Sequence, residues 1–148
     1  MKLVDSFRAL VGGGALLVAT GATTVLSGMP AIGQEAELPV VSFTTAQADR
    51  GRSAYQTNCV DCHGANLDDG EFGGPPLKGM SFKEKWFNNT ADGLFDFVKA
   101  TMPPDRPGAL NDQTYADLVA YILSRNGLQA GAAELPADSE ALSKVEIR

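Results

Sequence analysis

The chain has 148 residues, of which 44% are hydrophobic and 20% charged, and its formal net charge is −6. That length fits one small domain with extensions. The acidic balance excludes the basic face that nucleic acid requires and gives no pull towards anionic lipid.

Residues 1–33 read as an export signal. Lys2 and Arg8 make a short positive start, diluted by Asp5, and residues 9–29 are small and apolar. Ala31-Ile32-Gly33 supplies the small residues that a signal peptidase needs, which predicts cleavage after Gly33. The alternative is an uncleaved anchor, because residues 9–29 are just long enough to span a bilayer. Residues 34–43 then form a polar, proline-containing lead-in, expected to be extended and loosely held.

The main domain is expected over residues 44–127. Thr44 and Gln47 have capping-box spacing. Ala48, Gly51, Arg52, Tyr55 and Cys59 follow at helical intervals, which predicts a first helix ending near Cys59. The run from Gly64 to Gly74 reads as a loop. Its Asp68, Asp69 and Glu71 lack the spacing of a calcium loop and read as solvated acids. Ser81 and Glu84 offer a second capping box, followed by a short helix with Phe82 and Trp86 on one face. Trp86 is the only tryptophan, and its indole N–H needs an acceptor when buried.

Thr90 caps a third helix over residues 91–100, with Leu94, Phe95 and Val98 as its apolar stripe. It stops where Met102 meets Pro103-Pro104. Asn111 caps the last helix, which runs to about Arg125 and stops at Asn126-Gly127. Tyr115, Leu118, Val119, Ile122 and Leu123 make its stripe, the strongest helical signal in the chain. Residues 128–148 form a tail in which Leu135, Leu142, Val145 and Ile147 are placed to strap the domain.

The chemistry sits in Cys59-Val60-Asp61-Cys62-His63, which holds both cysteines and the only histidine. Its spacing is that of c-type haem attachment, two thiols for the porphyrin vinyl groups and an imidazole for the iron. Three other readings compete. A redox disulfide of this spacing normally lies in a βαβ pattern, which is missing here. Zinc needs about four ligands, and the chain offers two Cys and one His. Free thiols would be prone to oxidation in an exported protein. A haem propionate is then one candidate acceptor for Trp86.

Gly51-x-x-x-Tyr55-x-x-x-Cys59-Val60-Asp61-Cys62-His63-Gly64 resembles the opening of a class I cytochrome c. Gly74-Pro75-Pro76-Leu77-Lys78-Gly79 is similar to that family's Gly-Pro-x-Leu-x-Gly segment. Thr101-Met102-Pro103 resembles its axial-methionine loop, and Asp117 to Leu123 its last helix. The resemblance covers about residues 46–127. It implies an all-α class I cytochrome c fold, three to five helices around one covalent haem c held by Cys59 and Cys62. It further implies that the first and last helices cross at Gly51, and that the Pro75 carbonyl accepts a hydrogen bond from His63. Leu77 would pack on the haem. His63 and Met102 would be the iron ligands. Met80, the other methionine outside the signal, is expected in the core or at the rim.

Ligation by His and Met closes both axial positions and raises the reduction potential. The resemblance therefore implies a one-electron carrier in the periplasm and not an enzyme. It would pass electrons from a dehydrogenase towards a terminal oxidase or another cytochrome, as a monomer or as a subunit of a complex. The Thr-Met-Pro loop and Glu134-Leu135-Pro136 resemble domains served by quinoprotein alcohol-type dehydrogenases. Membrane contact would follow only from an uncleaved signal. The alternative is a haem enzyme or gas-binding haem protein with an open distal site. Lys78, Lys83, Lys85 and Lys99 are candidates for a docking rim.

Overall fold

The computed structural model describes residues 37–70 and 72–148. The signal or anchor expected over residues 1–33 lies outside the described residues. Six helices occur among the described residues: α1 (Thr45–Asn58), α2 (Val60–His63), α3 (Met80–Trp86), α4 (Ala91–Thr101), α5 (Asp112–Arg125) and α6 (Ser139–Leu142). The β content there is two isolated bridges, Val40 with Glu146 and Thr90 with Glu146. The all-α expectation holds, with one helix more than the upper count of five. The surplus comes from α2 and α6, single turns wound by the cysteine motif and by the tail.

Capping chemistry explains where two helices begin. Thr44 is extended, and its hydroxyl accepts the Gln47 N–H at 3.0 Å. Asn111 does the same for Thr114 at 2.8 Å to start α5. Neither expected capping box closes. The Gln47 amide turns away from Thr44 and is fully buried, donating to Leu135 O at 2.9 Å and accepting from Leu135 N at 2.7 Å. The second box fails because α3 begins one residue before Ser81. Its cap is Gly79 at φ +86°, with no side-chain cap bond. A left-handed turn that glycine adopts without strain starts this helix.

Helix α5 is the centre of the domain. Every residue from Tyr115 to Leu123 is buried, not only the predicted stripe. The other side is covered by α1, which crosses α5 at Gly51. A Cβ on Gly51 would lie 1.8 Å from Asp117 O and 2.8 Å from Tyr121 Cβ. The helices touch backbone to backbone, which is the physical reason for a glycine inside α1. Around the crossing, Arg50 binds both oxygens of buried Asp117, at 2.8 and 3.0 Å. Tyr55 packs on Tyr121 with ring centroids 5.4 Å apart.

The lead-in is not loose. Phe43 and Val41 are buried, and Val41 N–H bonds to Glu146 O at 2.8 Å. The tail supplies the reason, since it passes between the lead-in and the turn before α4. Glu146 N donates to Pro39 O, and Ile147 N to Asn89 O. Leu135, Leu142 and Ile147 are buried, with Val145 packed beside them. Arg50 reaches Glu134 at 2.9 Å, and Ser139 reaches Asp96 on α4 at 2.7 Å. The tail straps the domain as expected, with one helical turn added.

Candidate functional site

The cysteine motif winds a single turn. Cys62 N and His63 N both donate to Cys59 O, at 3.2 and 3.0 Å. Residues three and four apart share a helix face, so Cys59, Cys62 and His63 point the same way. Gly64 ends the turn at φ +75°, and its carbonyl accepts from the buried Tyr55 hydroxyl at 2.7 Å. The following loop folds tightly under the motif. A Cβ on Gly70 would meet Cys62 O at 1.8 Å, and one on Gly74 would lie 2.9 Å from His63 Nδ1.

That approach delivers Pro75. Its carbonyl lies 2.8 Å from His63 Nδ1, and the His63 side chain is almost wholly buried. A carbonyl can only accept, so Nδ1 carries a proton, and in the neutral ring the lone pair is then on Nε2. The ring is thereby oriented, with one nitrogen prepared for a metal.

All seven residues expected at the site line one cavity: Cys59, Cys62, His63, Pro75, Leu77, Trp86 and Met102. Met80 is not among its lining residues and is 73% exposed. This corrects the expectation of a core or rim methionine in favour of the open surface. The side walls come from residues that periodicity marked only as core, namely Phe82 on α3, Leu94 and Val98 on α4, and Leu118 and Ile122 on α5. The apolar stripes of three helices thus face the space between them.

Two positions that hold the walls were missed in the sequence. Asn126 was legible only as a helix stop. Its buried amide donates to Leu77 O and Ile122 O, both at 2.9 Å, and accepts from Gly79 N at 3.1 Å. It fastens the Leu77–Gly79 corner to the end of α5. Tyr115 donates to Met102 O at 2.8 Å. The bonds of Asn126 to Leu77 and Gly79, and of Tyr115 to Met102, join residues far apart in the chain, so no local spacing announces them.

The donor set fits a covalent haem. Burial, then the neighbouring Cys62, pushes the Cys59 thiol up to about 11. Redox-active pairs of this spacing have a lowered thiol pKa, so the shift runs against the disulfide reading. Among the described residues, no three His, Cys, Asp or Glu side chains converge on one point, and zinc needs about four ligands. What remains is two free thiols and an imidazole facing an apolar slot.

A family model described as cytochrome c oxidase, cbb3-type, subunit III matches residues 46–122. The chain belongs to the class I c-type cytochromes. It is 35% identical over 87 residues to a cytochrome c-553-like protein of Synechocystis, covering 57% of this chain and 77% of that one. It is 27% identical over 122 residues to the cytochrome bc1 complex cytochrome c subunit of Mycobacterium tuberculosis, covering 81% of this chain. The chain spans 42% of that subunit's length. No solved structure gives a significant match. The cofactor of this cytochrome is haem c, bonded through Cys59 and Cys62, and its activity is haem-based electron carriage. Among the described residues, no helix is long and apolar enough to cross a membrane.

The lysine rim is thinner in the folded cytochrome than in the sequence. Lys78 pairs with Asp68 at 3.1 Å, and Lys99 with Asp112 at 2.7 Å. The hydrogen bond that Lys99 donates to the Asp112 carboxylate raises the Lys99 pKa. Lys83 lies over Phe87, and Lys85 over both Trp86 and Phe97, at 4.7 and 4.4 Å from the ring centroids.

Proposed function

We propose that this cytochrome is an exported one-electron carrier in which His63 and Met102 would both hold the haem iron. The observation that carries the reading is the shared cavity. His63 lines it with Nε2 left free by the Pro75 bond, Met102 lines it as well, and Met80 stays outside. Haem c supplies a one-electron ferrous–ferric couple that needs no atom transfer. The chain's part is to orient the imidazole through Pro75, to present a soft thioether sulfur through Met102, and to keep water from the slot with apolar walls. With both residues bound, the iron would have no coordination site left for a substrate, which supports a carrier over an enzyme. Trp86 and Lys85, at the cavity lining, are the donors we assign to a haem propionate.

Export to the periplasm is supported by the signal pattern of residues 1–33. The electron donor is assigned as a dehydrogenase and the acceptor as a terminal oxidase or another cytochrome. The cbb3-type oxidase description of the matching family model supports the acceptor side. The resemblance of Glu134-Leu135-Pro136 to quinoprotein-linked domains adds less, because Glu134 and Leu135 are already engaged in holding the tail to α1.

The ligand assignment has a direct test. Met102→Ala should remove the weak sulfur-to-iron absorption at the red end of the ferric spectrum and lower the reduction potential. Met80→Ala should do neither. The reverse pattern would show that the other methionine is the ligand.

A further inference from the structure

We infer that Tyr115 is a positioning residue for the distal loop, holding Met102 at the cavity through its main chain. The inference rests on the reading of Met102 as an axial ligand. Met102 caps the end of α4, and its N–H donates to Val98 O at 2.8 Å. The next two residues, Pro103 and Pro104, have no N–H with which to anchor the chain. The nearest remaining handle is the Met102 carbonyl, and the Tyr115 hydroxyl donates to it at 2.8 Å. The Tyr115 hydroxyl oxygen in turn accepts from Leu110 N–H at 3.4 Å. One hydroxyl therefore bridges the two ends of the loop from Met102 to Leu110.

The base of this bridge is rigid. Tyr115 is fully buried on the first turn of α5. That helix is locked against α1 at the Gly51 crossing. Another tie on the loop, Arg106 to Asn58 at 2.8 Å, is exposed, where such contacts contribute little. For packing alone a phenylalanine ring would serve equally well. What the hydroxyl adds is a distance constraint on the carbonyl of the residue whose sulfur must reach inward. The hydrogen bond to Met102 O thus couples the position of α5 to the reach of the methionine.

The test uses the ferric holoprotein with imidazole as an external ligand, in the wild type, Tyr115→Phe and Met102→Ala. Imidazole can bind only when the sulfur has left, so its apparent affinity reports how often the distal loop is open. Tyr115→Phe should raise that affinity about three- to tenfold, the effect of one partly buried neutral hydrogen bond. Denaturant unfolding of the same proteins gives the structural comparison. A lowered unfolding midpoint with wild-type imidazole affinity would mean that the hydroxyl only stabilises the fold, and would overturn the inference. Met102→Ala supplies the reference. Far tighter imidazole binding there upholds the ligand reading, and an unchanged Tyr115→Phe would then refute the positioning role alone. If Met102→Ala binds imidazole no better than wild type, the ligand reading fails and the inference fails with it.

Discussion

Replacing Cys59 and Cys62 together by alanine should leave no haem on the polypeptide after acid–acetone extraction, while the wild-type holoprotein keeps all of it. The thiols lie on one turn with His63, at the floor of an apolar cavity. Two thioether bonds there survive acid, whereas His and Met ligation does not, because protonated imidazole loses its lone pair. Each single variant should retain its haem through the remaining thioether. Haem in the organic phase from the wild-type protein would sink the covalent assignment.

Gly51→Ala should destabilise the holoprotein by at least about 3 kcal/mol, at or beyond the upper end of ordinary overpacking. Two effects oppose each other at this position. Alanine is a better helix former than glycine by about 1 kcal/mol. Against that, its Cβ would lie 1.8 Å from the Asp117 carbonyl oxygen, which is backbone and cannot rotate away. The helices would have to separate, which would disturb the Arg50–Asp117 pair and the Tyr55–Tyr121 contact. A control sits in α4. Gly93 is exposed, and an added Cβ meets nothing within 4 Å. Gly93→Ala should therefore stabilise by up to about 1 kcal/mol. Denaturant unfolding of both variants checks the pair. Equal effects at the two glycines would show that α1 and α5 do not meet at Gly51.

Much of this site is written in local spacing. The cysteine motif needs three residues on one helical turn, and a spacing of three and four states that directly. Thr44 and Asn111 announce their helices because a cap acts within three residues. Pro75 and Gly51 were legible through the family's motifs, and the geometry gives each a cause in a close backbone approach. The misreadings share a different origin. Gln47 and Glu84 matched capping patterns, but Gln47 was drawn to Leu135, 88 positions away, and the turn at Gly79 started α3 before Ser81 could cap it. The lead-in looked loose because its partner, Glu146, lies at the far end of the chain. Asn126 and Tyr115 carried no signal beyond helix stop and stripe. Their hydrogen bonds reach across the cavity walls, and long-range partners leave no period in a sequence.

Carbon monoxide added to the reduced holoprotein, without denaturant, tests the closed carrier most directly. With His63 and Met102 on the two axial positions, the reduced spectrum should stay unchanged over the time of mixing. A prompt spectral shift would show an open or labile distal position, and would contradict the carrier in favour of a haem enzyme or gas-binding protein.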